Sequence, residues 1–237
     1  MSSRAVYAAV RVLTWNLFHG RAVPGAGRDL LDEFSAALAS WAWDVALLQE
    51  VPPWWPSALG RACDAQCSAA PTSRNALAPA RRAIATRAPD LVKSNGGGAN
   101  AILVRNAHAR IVDERRVLLR RWPERRVCHA VALDGGTWCA NLHAQVHSVA
   151  RAQADIERAA AAALAWARDA PVLLGGDCNI PAPAVRGMRT LGGRGVDHVL
   201  GRGLVTAAPD ELPDRGALSD HPAVIVTVLP RAAAASR

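Results

Sequence analysis

Val172-Leu173-Leu174 reads as a buried run, and it ends in Gly175, Gly176, Asp177, Cys178 and Asn179. A carboxylate and an amide thus stand one residue apart where an apolar strand stops. The same placement recurs along the chain. Asn16 follows VLTW, Glu50 follows DVALLQ, and His143 follows TWCANL. Asp197 sits in GVDHVL, and Asp220 and His221 sit in LSDHPAVIV. One such residue is usually a cap or turn former. A series made only of acids, amides and imidazoles points to shared chemistry. Carboxylates hold hard cations such as Mg²⁺ or Mn²⁺, amides orient a water or a phosphate oxygen, and histidines move protons or clamp a phosphoryl group. The set suits metal-dependent hydrolysis of a phosphate ester.

These residues need strands to carry them. VRVLTW (10–15) alternates like a strand, and DVALLQE (44–50) reads as a buried one. Leu30, Leu31, Phe34, Ala37, Leu38 and Trp41 recur at helical spacing between them. PPWWPSALGRAC opens a short helix, and residues 68–98 read as loop-rich. Four strands are expected at 101–104, 110–119, 127–133 and 137–142. An Ala-rich helix is expected over 149–168, with Ser148 as its cap. PVLLGG, VDHVLG and PAVIVTVL supply three more strands. Early interleaving of strands and helices followed by a strand meander does not suit a simple doubly wound sheet. It suits an α/β sandwich of two packed sheets with helices outside.

A chain of 237 residues, 51% hydrophobic, supports one domain with a sizeable core. No repeat or linker divides it: the core is expected over about 10–229, with a frayed tail at 230–237. Five scattered cysteines make no secreted disulfide framework, and Cys63 and Cys67 lack a second pair for a zinc ribbon. With no targeting signal and no transmembrane run, the expectation is a cytoplasmic monomer. The net charge of +8 suits a phosphate-bearing partner. That signal is weak, because Lys93 is the only lysine and an arginine- and alanine-rich composition follows codon bias as readily.

TWNLFHG, LLQEV, NLHAQ, GGDCNIP, VDHVL and SDHPAV occur in this order, and GGANAILVRN falls between the Glu50 and His143 blocks. Together they resemble the signature blocks of the endonuclease/exonuclease/phosphatase superfamily, the deoxyribonuclease-I-like fold, from about residue 11 to about 228. The resemblance implies a four-layer α/β sandwich, two mixed sheets flanked by helices. It implies Mg²⁺ or Mn²⁺ as cofactor, with Glu50 as main ligand, Asn16 as a ligand or water-positioning amide, and Asp220 as a second metal-side carboxylate. Asp177 and Asn179 resemble the pair at the attacking water and the scissile phosphate, reaching one pocket if the backbone turns at Gly175 and Gly176. Asp197 resembles the carboxylate that orients His221, which contacts the phosphate or acts as base. His143 resembles a second catalytic histidine, an acid for the leaving oxygen.

One departure narrows the branches. Tyr7 is the only tyrosine and precedes the first strand, so the tyrosine of abasic-site endonucleases has no match. Branches with histidine there fit better: nucleases, deadenylases, tyrosyl-DNA phosphodiesterases, sphingomyelinases and inositol phosphatases. The leading expectation is a nuclease cleaving DNA or RNA by in-line water attack; the alternative is a hydrolase of a small or lipid phosphate ester. Arg105 and Arg202, each just past a strand, are the candidate substrate-binding cations.

Other signals read blandly. His143 and His147 have the spacing of a helical zinc pair but follow a strand, which favours one catalytic histidine and one bystander. His19, His108, His129 and His198 read as ordinary histidines. Gly96–Gly98 is no P-loop and is expected as a loop near the site. Trp54 and Trp55 would either stack a base or be buried.

Overall fold

A computed structural model describes residues 8–72, 78–87, 90 and 97–231. Tyr7, Lys93, Gly96 and the tail from 232 lie outside the described residues. Two six-stranded mixed sheets pack face to face. The first contains β1 (Val10–Asn16), β2 (Val45–Val51), β3 (Ala65–Pro71), β4 (Ala99–Arg105), β11 (Leu204–Thr206) and β12 (Val224–Pro230), in the order β11-β12-β1-β2-β4-β3. The second contains β5 (Ile111–Arg120), β6 (Arg126–Leu133), β7 (Trp138–His143), β8 (Val172–Asp177), β9 (Arg189–Arg194) and β10 (Asp197–Arg202), in the order β5-β6-β7-β8-β10-β9.

Each sheet has one parallel pair at its centre, β1 with β2 and β7 with β8. Parallel neighbours need a crossover, and each crossover here carries a helix. These are α1 (Leu31–Ser40) and α4 (Val149–Ala167). Two more helices, α2 (Pro56–Ala62) and α3 (Ala78–Arg87), flank β3 in sequence.

The apolar runs of the central strands follow from burial on both faces. In β1, Leu13 and Trp15 face α1 while Val12 faces the second sheet. In β2, Ala46 and Leu48 face outward to the helices while Val45 and Leu47 face inward. Val172 and Leu174 of β8 pack on α4, and Leu173 joins the layer between the sheets. Ala152, Ile156, Ala159, Ala160 and Ala163 form the buried stripe of α4, whose Ser148 cap accepts a hydrogen bond from the Arg151 N–H at 3.3 Å. Helix, sheet, sheet, helix makes four layers, as expected.

The layer between the sheets is not wholly apolar. The Gln49 amide donates to Asn141 Oδ1 at 2.9 Å. The Asn141 amide donates to the carbonyls of Leu48 and Ala101, each at 2.9 Å. These fully buried amides bolt the second sheet onto the backbone of the first, beneath the end of β2.

Three sequence expectations change. The segment 68–98, expected as loop, includes the end of β3 and the helix α3. β9 and β11 are strands that no apolar alternation announced. The glycines before Asp177 also do not turn the chain: β8 stays extended through Asp177, and the backbone reverses at Asn179, whose φ is 52°. Gly176 answers a different need. At its φ of 139°, an added Cβ would lie 1.9 Å from the Leu142 carbonyl oxygen in the neighbouring strand. Gly176→Ala should therefore destabilise the fold by about 2–5 kcal/mol, from overpacking and a backbone conformation that L side chains avoid. Thermal unfolding checks this, with a fall in Tm of roughly 5–15 °C for a chain of this size.

Candidate active site

The C-terminal ends of β1, β2, β7 and β8 meet at one edge of the sandwich, the end of α/β sheets where ligands commonly bind. A cleft of about 580 Å³ opens there. Asn16, Glu50, His143, Asp177, Asn179, Asp220 and His221 all line it. Asp197 stands directly behind, hydrogen-bonded to His221.

Asp177, at the end of β8 in the second sheet, is the most connected residue. Asp177 is almost fully buried and accepts from the Asn16 amide at 3.0 Å and from the Asn179 N–H at 2.9 Å. The first bond crosses from one sheet to the other. His143 Nε2 lies 3.4 Å and His221 Nε2 3.7 Å from the same Asp177 oxygen. His221 Nδ1 sits 2.9 Å from Asp197 Oδ2, and the His221 backbone N–H donates to the Ser219 hydroxyl at 3.0 Å. Asn179 spends its amide on the Ala144 carbonyl at 3.0 Å.

Electrostatics divides the histidines. Burial pushes the Asp197 carboxyl up to about 6, against the pull of the His221 bond and charge. Burial alone would depress His221. The hydrogen bond and charge of Asp197, with the charges of Asp177 and Asp220, outweigh it and raise the imidazole to about 9. Near neutral pH this pair is ionised, carboxylate against imidazolium. Burial, followed by the positive neighbours Arg126, His19 and His221, holds His143 well below the usual histidine range, so it is neutral.

Glu50 faces this group from the first sheet. A bulge between Leu48 and Val51 interrupts its pairing with β4, and Glu50 takes a φ of 50°. A non-glycine residue in that region costs energy, and such strain clusters at functional sites. Among the described residues, its carboxylate has no arginine or lysine partner; it faces two imidazole nitrogens, His19 Nε2 at 3.2 Å and His143 Nδ1 at 3.9 Å. Glu50 and Asp220 both line the cleft beside Asn16, whose amide oxygen accepts from the Phe18 N–H at 2.9 Å; carboxylate and amide oxygens of this kind fit a hard divalent cation. A second grouping, Asp177, Asp197 and His221, also has ligand atoms within 4.8 Å of one another. There Asp197 and His221 are already committed to each other.

Arg105 and Arg202 are not in this group. β4 runs antiparallel to β2, so Arg105 lies about 20 Å of strand from the cleft edge at roughly 3.4 Å per residue. Its guanidinium covers Trp43 and donates to the Trp41 carbonyl at 2.9 Å. Arg202 pairs with Val172 at the far end of β8 and donates to the carbonyls of Arg168 and Ala170. Both tie down loops at the opposite edge.

Three residues were missed instead. His19 reaches the cleft from a turn after β1, with Nδ1 3.2 Å from the Gly97 carbonyl. Arg126 and Trp122 stand on the β5–β6 hairpin, whose turn forms a cleft wall with Arg121, Glu124 and Arg125. Arg126 is 6% exposed, pairs with Glu124, and its Nε has no hydrogen-bond partner among the described residues. A usable signal existed: the turn RRWPERR joins two strands, and the strand after it is antiparallel to β7, which puts it at the His143 end. Of the other residues, Trp55 is buried against Phe34, and Trp54 is half-buried beside a separate groove with Arg82 and Arg87. His147 is exposed and does not line the cleft. His108, His129 and His198 also lie outside the lining. Cys63 is buried and Cys67 half-buried.

Fold and cleft together define a two-sheet α/β phosphoesterase scaffold. A family model described as the Endonuclease/Exonuclease/phosphatase family matches residues 13–221, and the chain belongs to that family. It is by class a phosphoric-ester hydrolase. Similar solved structures include an endonuclease/exonuclease/phosphatase from Bacteroides vulgatus, 12% identical over 94% of this chain and 100% of that one, with a TM-score of 0.70. TDP2 from Caenorhabditis elegans is 15% identical over 97% of this chain and 77% of that one, at 0.67. A mannosyl-6-phosphatase from Bacteroides thetaiotaomicron is 15% identical over 93% and 99%, at 0.65. No curated protein matches the chain. Among the described residues, no helix is long and apolar enough to cross a membrane.

Proposed function

We propose that the chain is a Mg²⁺- or Mn²⁺-dependent phosphodiesterase acting on nucleic acid. The observation that carries this is the two-sided cleft: Glu50 and, just ahead of β12, His221 come from the first sheet and face Asp177 and Asp197 of the second. Glu50, Asp220 and Asn16 would hold the cation, which when bound offsets negative charge growing on the phosphate oxygens. The imidazolium of His221, kept charged by Asp197, donates to a non-bridging phosphate oxygen. Asp177, oriented by Asn16 and the Asn179 N–H, accepts the proton of the attacking water. His143 enters neutral, so it offers a hydrogen bond to the leaving oxygen rather than a ready-made charge. Arg121, Arg125 and Arg126 give the cleft wall a cationic face for further phosphates.

A rival reading is hydrolysis of a small phosphate ester. The cleft volume accommodates one, and a mannosyl-6-phosphatase is among the similar structures. Two measurements separate the readings. The first is a substrate panel with Mg²⁺, Mn²⁺ and EDTA, covering plasmid, single strands, RNA, dinucleotides, sugar phosphates, phosphoinositides and sphingomyelin. The second is binding of the Asp177→Asn variant to a short DNA duplex between low and physiological salt. Three arginine–phosphate contacts would give a log–log slope of about −2 to −3, from displaced counterions. A flat curve, or no binding at low salt, rejects the nucleic-acid reading and leaves the small-ester hydrolase.

A further inference from the structure

Trp122 is 76% exposed, yet it lines the catalytic cleft. An exposed indole of this size usually costs solubility without return, and here its support is firm. Just before it, Arg120 at the end of β5 pairs with the buried Asp155 of α4 at 3.0 Å. Just after it, Arg125 donates to the Pro71 carbonyl at the end of β3, and Arg126 pairs with Glu124. Both ends of the five-residue turn are thus tied to the body of the protein, and the indole is presented beside the phosphate-handling residues.

We infer that Trp122 is a stacking platform for a nucleobase next to the scissile phosphate, so that the enzyme recognises its substrate partly through a planar aromatic group. The inference rests on the phosphodiesterase reading and deepens it. A face of indole takes any base, because every base has a π-surface. The flanking side chains favour a base over a sugar ring. A polyhydroxylated ring needs acceptors around its edge. Arg121 and Arg125 are donors only, and Glu124, the one acidic side chain of the turn, already has an oxygen on Arg126. Arginines beside an aromatic face instead suit a phosphate–base–phosphate succession.

The test compares two fluorescent hexamers of equal charge, dT6 and a hexamer of abasic tetrahydrofuran units, bound by an Asp177→Asn protein in anisotropy titrations. Equal charge cancels the counterion contribution, so the ratio of the two Kd values isolates the bases. The expected ratio is about 10- to 100-fold in favour of dT6. It should fall to near one in Trp122→Ala and be largely kept in Trp122→Phe, with circular dichroism showing both variants folded. Equal binding of the hexamers with Trp122 present, or an unchanged ratio in Trp122→Ala, overturns the inference alone. Mannose 6-phosphate binding more tightly than dT6, and losing that advantage in Trp122→Ala, overturns it in favour of a sugar platform. Failure of both hexamers to bind while a small ester is still hydrolysed overturns the nucleic-acid reading and this inference with it.

Discussion

Replacing His221 by alanine is expected to lower turnover by about two to four orders of magnitude, the range seen when a positioned proton-bearing group is lost. Asp197 and His221 form a carboxylate–imidazole pair at 2.9 Å, and the far nitrogen points toward Asp177. Alanine removes both the charge and the donor. Asp197→Asn is the finer probe, since an amide keeps the shape and removes the charge. Loss of a nearby negative charge disfavours the imidazolium, so the His221 pKa should fall from about 9 toward the ordinary histidine value. Imidazole NMR titration reads that shift directly, and the alkaline limb of the pH–rate profile should move down with it. His143→Ala should also cost at least about 100-fold. His147→Ala, exposed and away from the cleft, should change little. If the His147 variant were as damaged as the His143 variant, the division of the two histidines would be wrong.

Glu50→Gln should raise the metal concentration needed for half-maximal activity by about two orders of magnitude or more, because a neutral amide is a poor ligand for a hard cation and changes to less central groups already cost 10- to 100-fold. Gln has nearly the shape of Glu and meets the same backbone strain, so thermal unfolding without metal should be nearly unaltered. That contrast separates a lost ligand from a damaged fold. Calorimetric titration with Mn²⁺ gives the affinity, and turnover against metal concentration gives the consequence. Full wild-type activity in excess EDTA would remove the metal from the reaction altogether.

The central strands and the acidic, amide and imidazole residues at their ends were readable because double burial forces unbroken apolar runs. A polar residue that stops such a run stands out, as Asp177 does after Val172, Leu173, Leu174 and two glycines. Edge strands give no such contrast: β9 reads RTLGGR, mostly polar or glycine. Arg105 was misplaced because nearness in sequence says nothing about which edge of an antiparallel strand a residue occupies. Each reversal sends the next strand end to the opposite edge. His19 and Trp122 were missed for a related reason. They sit on turns, where no periodicity marks which side chain enters a cleft. The charge state of His221 was also beyond the sequence, since it depends on Asp197, 24 positions away in the chain.

The paired amides Gln49 and Asn141 join the sheets directly under Glu50, while Asn16 and Asp177 join them inside the cleft. Half of the chemistry therefore belongs to each sheet, and neither sheet holds a working portion by itself. A state with both sheets formed but not docked would show native-like secondary structure and yet be inert. A working site therefore requires the docked pair, and the onset of turnover during refolding would time the moment at which the two sheets come into register.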